Sequence, residues 1–139
     1  QTSPAGIAAL AASATVAVGL PLTSVFLREP LAPLRALVDA GALVALATDC
    51  NPGSANTTSL TLLLQLAVLL GGLTPAEALR GVTRTAALAL GQPGGYTGRI
   101  AAGEPFLATV LELPSADGVF YRLGERMQAW DGLLRAGVG

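Results

Sequence analysis

The residues best suited to chemistry lie in one short loop, residues 47–54, which reads Ala-Thr-Asp-Cys-Asn-Pro-Gly-Ser. Asp49 contributes a carboxylate at the point where a continuous apolar run, residues 43–47, gives way to a Pro/Gly loop. Such a run is typical of a buried parallel strand, and in an α/β barrel the rim at the strand ends carries the catalytic groups. The same residues also form good turns without catalysis, so an Asx turn or helix cap is the competing interpretation for Asp49.

The usual partners of a catalytic or metal-binding carboxylate are missing from this chain. It contains no histidine, and a lone carboxylate does not make a metal site. We therefore expect the chain alone to bind no metal. Cys50 is the single cysteine, which excludes an internal disulfide and favours a reducing, cytoplasmic compartment. Because a nucleophilic thiol needs a nearby base, we expect Cys50 to be a small buried packing residue.

Composition narrows the class of protein and of partner. The 139 residues suit one ordinary domain, and an apolar content of 52% is ample for a core. Eight basic residues balance nine acidic ones without any basic cluster, so nucleic-acid binding is not expected. The longest apolar stretch, residues 60–73, is interrupted and shorter than the ~20 residues of a membrane span. With only 12% charged residues, against about 25% on average, the chain is more apolar than usual, which we attribute to a surface that another part of a larger domain covers.

The order of elements predicts an α/β fold. We expect helices and strands to alternate up to residue 47, and helices to follow as far as residue 90, over these ranges: helix 4–12, strand 15–20, a loop from Pro21 through Glu29, helix 31–40, strand 43–47, and helices 57–70, 74–80 and 81–90. Alternation with short links indicates parallel strands joined by crossover helices. Beyond the helices, β-prone pieces at 99–103 and 106–113 predict a small β-rich appendage. We accordingly divide the chain into residues 1–92 and 93–139.

Several motifs together resemble the imidazolonepropionase branch of the metal-dependent amidohydrolases. They are the loop 48–54, the segment 57–60 (Thr-Thr-Ser-Leu), and residues 74–87 (Thr-Pro-Ala-Glu-Ala-Leu-Arg-Gly-Val-Thr-Arg-Thr-Ala-Ala). Residues 26–29 (Phe-Leu-Arg-Glu) also look like that family, so the resemblance covers roughly residues 5–105. The Thr-Pro-x-Glu-Ala-Leu helix supports only the superfamily, whereas the Asp-Cys-Asn-Pro-Gly loop favours the narrower assignment.

The resemblance implies a fold, a reaction and roles for four residues. It implies a (β/α)8 barrel of the TIM type with one zinc or iron ion, which hydrolyses the ring amide of 4-imidazolone-5-propanoate in histidine degradation. Asp49 matches the family's aspartate at the end of the last barrel strand, where it ligates the metal and moves a proton between water and the ring nitrogen. Asn51, Gly53 and Ser54 match positions that hold this small-molecule substrate.

Two departures from the family limit what this chain can do alone. The His-x-His pair and the further histidine ligands are absent, and the family's Gly-Lys-x-Ala-Asp-Leu turn appears at 103–108 without its Asp. A complete barrel also needs ~250 residues. We therefore expect the C-terminal portion of a barrel plus part of the appended β-rich domain, inactive alone, whose partner is the remaining barrel half with the histidines. The start at Gln1, without Met or a secretory signal, favours a cut chain.

Other interpretations stay open from the sequence. The chain could be a stand-alone, non-catalytic descendant that binds a ligand or partner through its apolar face, or it could complement a separately made half. A homodimer is compatible with each of these. Arg28 has two interpretations, a surface pair with Glu29 or a guanidinium that reaches the barrel rim to meet a substrate carboxylate.

Overall fold

The computed structural model describes residues 2–106, 108–125 and 127. Two strands and seven α-helices follow one another within this part of the chain, with a 3₁₀ turn after the sixth helix. They are α1 (Pro4–Ala11), β1 (Val16–Gly19), α2 (Pro21–Leu27), α3 (Leu34–Asp39), β2 (Leu43–Leu46), α4 (Leu60–Leu69), α5 (Pro75–Val82), α6 (Arg84–Ala89), the turn Pro93–Gly95, and α7 (Gly118–Tyr121).

The two strands form a parallel sheet, as predicted. Val16 pairs with Leu43 and Gly19 with Leu46, so the carboxyl ends of β1 and β2 lie at the same edge. The Ala47 N–H then donates to the Gly19 carbonyl at 3.1 Å, which extends the pairing into the loop. Since α2 and α3 connect the strands, the unit is a βαβ crossover, which fits part of a (β/α)8 barrel.

One face of the sheet packs on the helices. A Cβ added to Gly19 would lie 2.6 Å from Leu34 Cδ2 of α3 and 3.2 Å from Leu46 Cδ2, so a side chain here would force these buried leucines to move. The opposite face carries Val18 and Leu43, which are 49% and 37% exposed although both are large and apolar. Barrel strands are normally covered on both faces, and the described residues leave this second face partly uncovered at Val18 and Leu43, although Ala45 on it is buried.

The core lies between the sheet and the helices that follow it. Its buried members are Leu22, Leu34, Leu37, Val44, Leu46, Ala55, Leu63, Leu64, Ala67, Leu73 and Ala78. Helix α4 starts later than the predicted residue 57, because the Ser59 hydroxyl accepts from the Leu62 N–H at 3.2 Å and caps the helix. Leu69 and Leu70, at its other end, are more than half exposed, whereas residues 61–68 are all buried or half-buried, so the helix is covered on most sides between its ends.

Local signals explain where the other helices begin and end. Ser3 caps α1, and Thr74 with Glu77 forms the predicted capping box of α5. Three predicted boundaries are wrong. Residues 21–27 form helix α2 rather than a loop, because Pro21 occupies the first helical position, where proline is favoured. Helix α3 starts at residue 34 instead of 31, since Pro33 disfavours helical backbone before it, and α6 starts at 84 instead of 81 after a break at Thr83.

The predicted β-rich region is not confirmed. Over residues 96–106 and 108–125 the structure contains the short helix α7 and no extended strand. The division at residue 93 stays a prediction, and the tail around Trp130 lies outside the described residues. Within the described ranges, none of the helices is both long and apolar enough to cross a membrane.

Candidate active site

Asp49 lies just beyond the carboxyl end of β2, with an exposed side chain and an unusual backbone. Its φ is 53°, in the left-handed region, which aspartate tolerates better than most residues. Arg28 and Gln92 share this conformation, but they follow helices α2 and α6, where a left-handed residue is a common ending. Asp49 instead follows a strand. Strained backbone of this kind is often found at functional sites, so Asp49 stands out among the described residues.

A hydrogen bond joins Asp49 to the neighbouring strand's end. The Thr23 hydroxyl, in the first turn of α2, donates to Asp49 Oδ2 at 2.9 Å across a separation of 26 residues. Both residues lie beyond the same edge of the sheet because β1 and β2 are parallel and in register. The contact therefore fixes one carboxylate oxygen and leaves Oδ1 for other partners.

The loop after Asp49 is held together by the side chain of Asn51. Its Oδ1 accepts from the backbone N–H groups of Gly53 and Ser54 at 2.8 and 2.9 Å, while its Nδ2 donates to the Asp49 carbonyl at 2.6 Å. The Asn51 N–H closes the loop on the Ala55 carbonyl at 3.1 Å. Asn51 thus forms an Asx turn, the alternative considered from the sequence. The substrate-binding roles of Asn51, Gly53 and Ser54 stay predictions.

The structure also gives the positions of Cys50 and Arg28, which the sequence analysis singled out. Cys50 is exposed, so the expectation that it packs as a small buried hydrophobe is wrong; it lies in the loop beyond β2, where Asp49 and Pro52 are also exposed. Arg28 and Glu29 are both exposed, and the described residues show no ion pair between them. The rim role of Arg28 stays a prediction.

The strongest ionic cluster supports the scaffold rather than the loop. Arg35 of α3 donates to both carboxylate oxygens of Glu77 at 2.7 and 3.0 Å, and also to Asp39. Hydrogen bonding by the Arg35 guanidinium, with smaller contributions from Thr74, lowers the pKa of Glu77 to about 2. The same carboxylates raise the pKa of Arg35. This cluster ties α3 to α5, two of the helices that contact β2.

A metal ion would find one suitable ligand in this part of the chain. The Asp49 carboxylate is a fitting oxygen donor, with Oδ1 unengaged by the hydrogen bonds of the loop. Among the described residues, however, no three His, Cys, Asp or Glu side chains come together. Asp49 could thus complete a metal site but not form one.

Two important residues escaped the sequence interpretation. Thr23 lay in a segment predicted to be a loop, and its contact with Asp49 depends on the strand register. Gln65 looked like an interruption of an apolar helix, yet its side chain is fully buried and bonded to residues 119–124. A polar residue on the buried side of a helix is the signal that could have found it.

Comparison with known proteins identifies the family of this chain. The sequence model described as "Amidohydrolase family" matches residues 3–138. The chain is 47% identical over 124 residues to an imidazolonepropionase of Rubrobacter xylanophilus, covering 89% of the chain and 30% of that protein. It is 49% identical over 120 residues to the imidazolonepropionase of Deinococcus radiodurans, and 46% over 121 residues to that of Rhizobium meliloti. These two matches each cover 86% of the chain, but only 30% and 29% of the two relatives. The chain therefore spans less than a third of the length of these relatives.

Proposed function

The chain belongs to the amidohydrolase family, and we propose that it is the part of an imidazolonepropionase that carries the catalytic carboxylate, Asp49. The observation that carries the proposal is the position of Asp49. It lies beyond the carboxyl end of a parallel strand, with left-handed backbone and a side chain held from the neighbouring strand. The similarity to imidazolonepropionases over most of the chain supports the substrate class. The non-catalytic alternative finds no support in these comparisons.

The proposed reaction adds water across the ring amide of 4-imidazolone-5-propanoate. The water oxygen bonds to the ring carbonyl carbon, the bond from that carbon to the ring nitrogen breaks, and N-formimidoyl-L-glutamate forms. Asp49 Oδ1 accepts a proton from the attacking water and returns a proton to the departing nitrogen. A zinc or iron ion, held by Asp49 together with histidines outside this chain, would supply the acidity that such water needs.

The loop around Asp49 is proposed to bind the substrate. The amide of Asn51 is fully engaged in holding the loop, so its contribution is to shape the site. Gly53 is exposed and lets ligand atoms approach the backbone, and the Ser54 hydroxyl lies beside it. These three residues fit a substrate with several polar groups.

The rest of the barrel is the proposed partner of this chain. The exposed face with Val18 and Leu43 would be covered by the other strands, which would also bring the histidines to the same rim as Asp49. This explains an apolar surface on a chain with only 12% charged residues. We also propose that the protein is cytoplasmic. A homodimer is compatible with this proposal.

The test uses the full-length protein encoded by the gene that carries this sequence, hereafter the gene product. We expect the wild type to hydrolyse 4-imidazolone-5-propanoate, and Asp49→Asn to lower kcat by a factor of about 100 or more with unchanged melting. Asp117→Asn is the matched control, since Asp117 is exposed and its side chain does not cap α7. Near-normal turnover by Asp49→Asn would remove Asp49 from the mechanism, and a wild type without hydrolysis would refute the activity.

A further inference from the structure

The Thr23 hydroxyl bonds to a distant side chain rather than to the backbone of its own helix. Within a helix such a hydroxyl commonly bonds a carbonyl one turn back, as Thr83 does to Leu79 at 2.7 Å in this chain. Thr23 instead donates to Asp49 Oδ2 at 2.9 Å. Thr23 lies in the first turn of α2, and the residue four places before it, Gly19, belongs to β1 rather than to the helix. The Thr23–Asp49 contact therefore takes the place of the bond to the helix backbone that a hydroxyl further along a helix commonly makes.

Asp49 is held by two independent contacts. Asn51 Nδ2 donates to its backbone carbonyl at 2.6 Å, which stabilises the left-handed conformation of the main chain. Thr23 holds the side chain, from a different element. An exposed carboxylate otherwise samples several rotamers, and fixing one rotamer is what an oriented catalytic or ligating group requires.

We propose that Thr23 is the positioning residue that orients the Asp49 carboxylate, an inference that rests on the proposed function. A hydroxyl is neutral, so Thr23 orients the carboxylate without neutralising it. It occupies one side of Oδ2 and leaves Oδ1 for the proton or the metal. Because Thr23 acts through Asp49, its removal should lower kcat and metal affinity and leave substrate binding nearly unchanged.

The test compares three variants of the gene product. Thr23→Val removes the hydroxyl with little change in volume, Thr23→Ser keeps it, and Thr15→Val makes the same chemical change at an exposed threonine whose hydroxyl bonds to no described residue. We expect Thr23→Val to lower kcat about 10-fold or more, to change KM less than about 2-fold, and to weaken zinc binding about 10-fold in a chelator competition. Thr23→Ser and Thr15→Val should stay within about 3-fold of wild type in all three quantities.

Each other outcome counts against the proposal. Wild-type kcat and zinc affinity in Thr23→Val would show that Asp49 needs no such orientation. Equal losses in Thr23→Ser, which keeps the hydroxyl, and Thr23→Val, which lacks it, would show that the hydroxyl does not carry the effect. Should Thr23→Val not fold, Thr23→Ala is judged by the same criteria.

The two proposals fail differently. An active wild type and an inactive Asp49→Asn, together with a normal Thr23→Val, would overturn the positioning role alone. A wild type that neither hydrolyses 4-imidazolone-5-propanoate nor binds metal would overturn both proposals.

Discussion

Replacement of Gln65 by leucine should loosen the segment around α7. Gln65 is fully buried in α4, and its Nε2 donates to the carbonyls of Val119 and Arg122 at 2.8 and 2.7 Å. Its Oε1 accepts from the Gly124 N–H at 2.8 Å. The side chain thus uses both of its N–H donors and its carbonyl oxygen. All three partners lie in residues 119–124, which are distant from α4 along the chain and meet it only through tertiary contact.

The magnitude follows from those three bonds. A net value of about 1 kcal/mol each gives a loss of about 3 kcal/mol in Gln65→Leu, since three backbone groups are left without their partner. The greater apolarity of leucine offsets about 1 kcal/mol, which leaves about 2 kcal/mol. If the segment opens locally, its protected amides should exchange about 30-fold faster, because 1.36 kcal/mol corresponds to a factor of ten.

Hydrogen exchange read by mass spectrometry measures this effect on peptides that span residues 118–125. Gln92→Leu is the matched control, because Gln92 is exposed and its side chain bonds to no described residue. Peptides from α1 should exchange as in wild type in both variants. Unchanged exchange at Gly124 in Gln65→Leu, or equal acceleration in Gln92→Leu, would refute the view that Gln65 anchors this segment.

Two predictions concern the scaffold beneath the loop. Glu77 has a folded-state pKa of about 2, lowered from 4.5 chiefly by Arg35, so its contribution to stability is complete above pH 4.5 and is lost as the pH falls towards 2. Urea unfolding of Glu77→Gln should show a weaker fall in stability over this window than wild type, and an identical fall would contradict the ion pair's role. Gly81→Ala should destabilise by about 1–3 kcal/mol, because the added Cβ would lie 3.0 Å from Leu46 Cγ in β2. Gly6→Ala is its control, since the nearest neighbour there is a flexible methyl group of Thr2, and equal melting temperatures for the two variants would count against close packing of α5 on the strand.

Much of the α/β framework could be predicted from the sequence, because its signals are local. Apolar runs marked both strands, and the capping box marked the start of α5. The segment after Pro21 was misjudged because proline both ends strands and begins helices, and the residues alone do not decide between the two.

The details of the candidate site depend on register and tertiary contact. Asp49 could be chosen from its place after a strand, but its bond to Thr23 bridges 26 residues and exists only with the observed strand pairing. Likewise, the exposure of Cys50 depends on how the loop beyond β2 lies against the rest of the fold, which composition does not reveal. The predicted β-prone pieces beyond residue 93 contain too few alternating residues to specify strands without a neighbouring sheet.

The most direct test of the central claim is hydrolysis by the gene product in oxygen-18 water, followed by mass spectrometry of the product. Opening of the ring amide places the water oxygen in the new carboxylate, so we predict N-formimidoyl-L-glutamate with a single oxygen-18 atom, formed by wild type about 100-fold or more faster than by Asp49→Asn. No product from the wild type, or a product without the label, would contradict the assignment of this chain to an imidazolonepropionase.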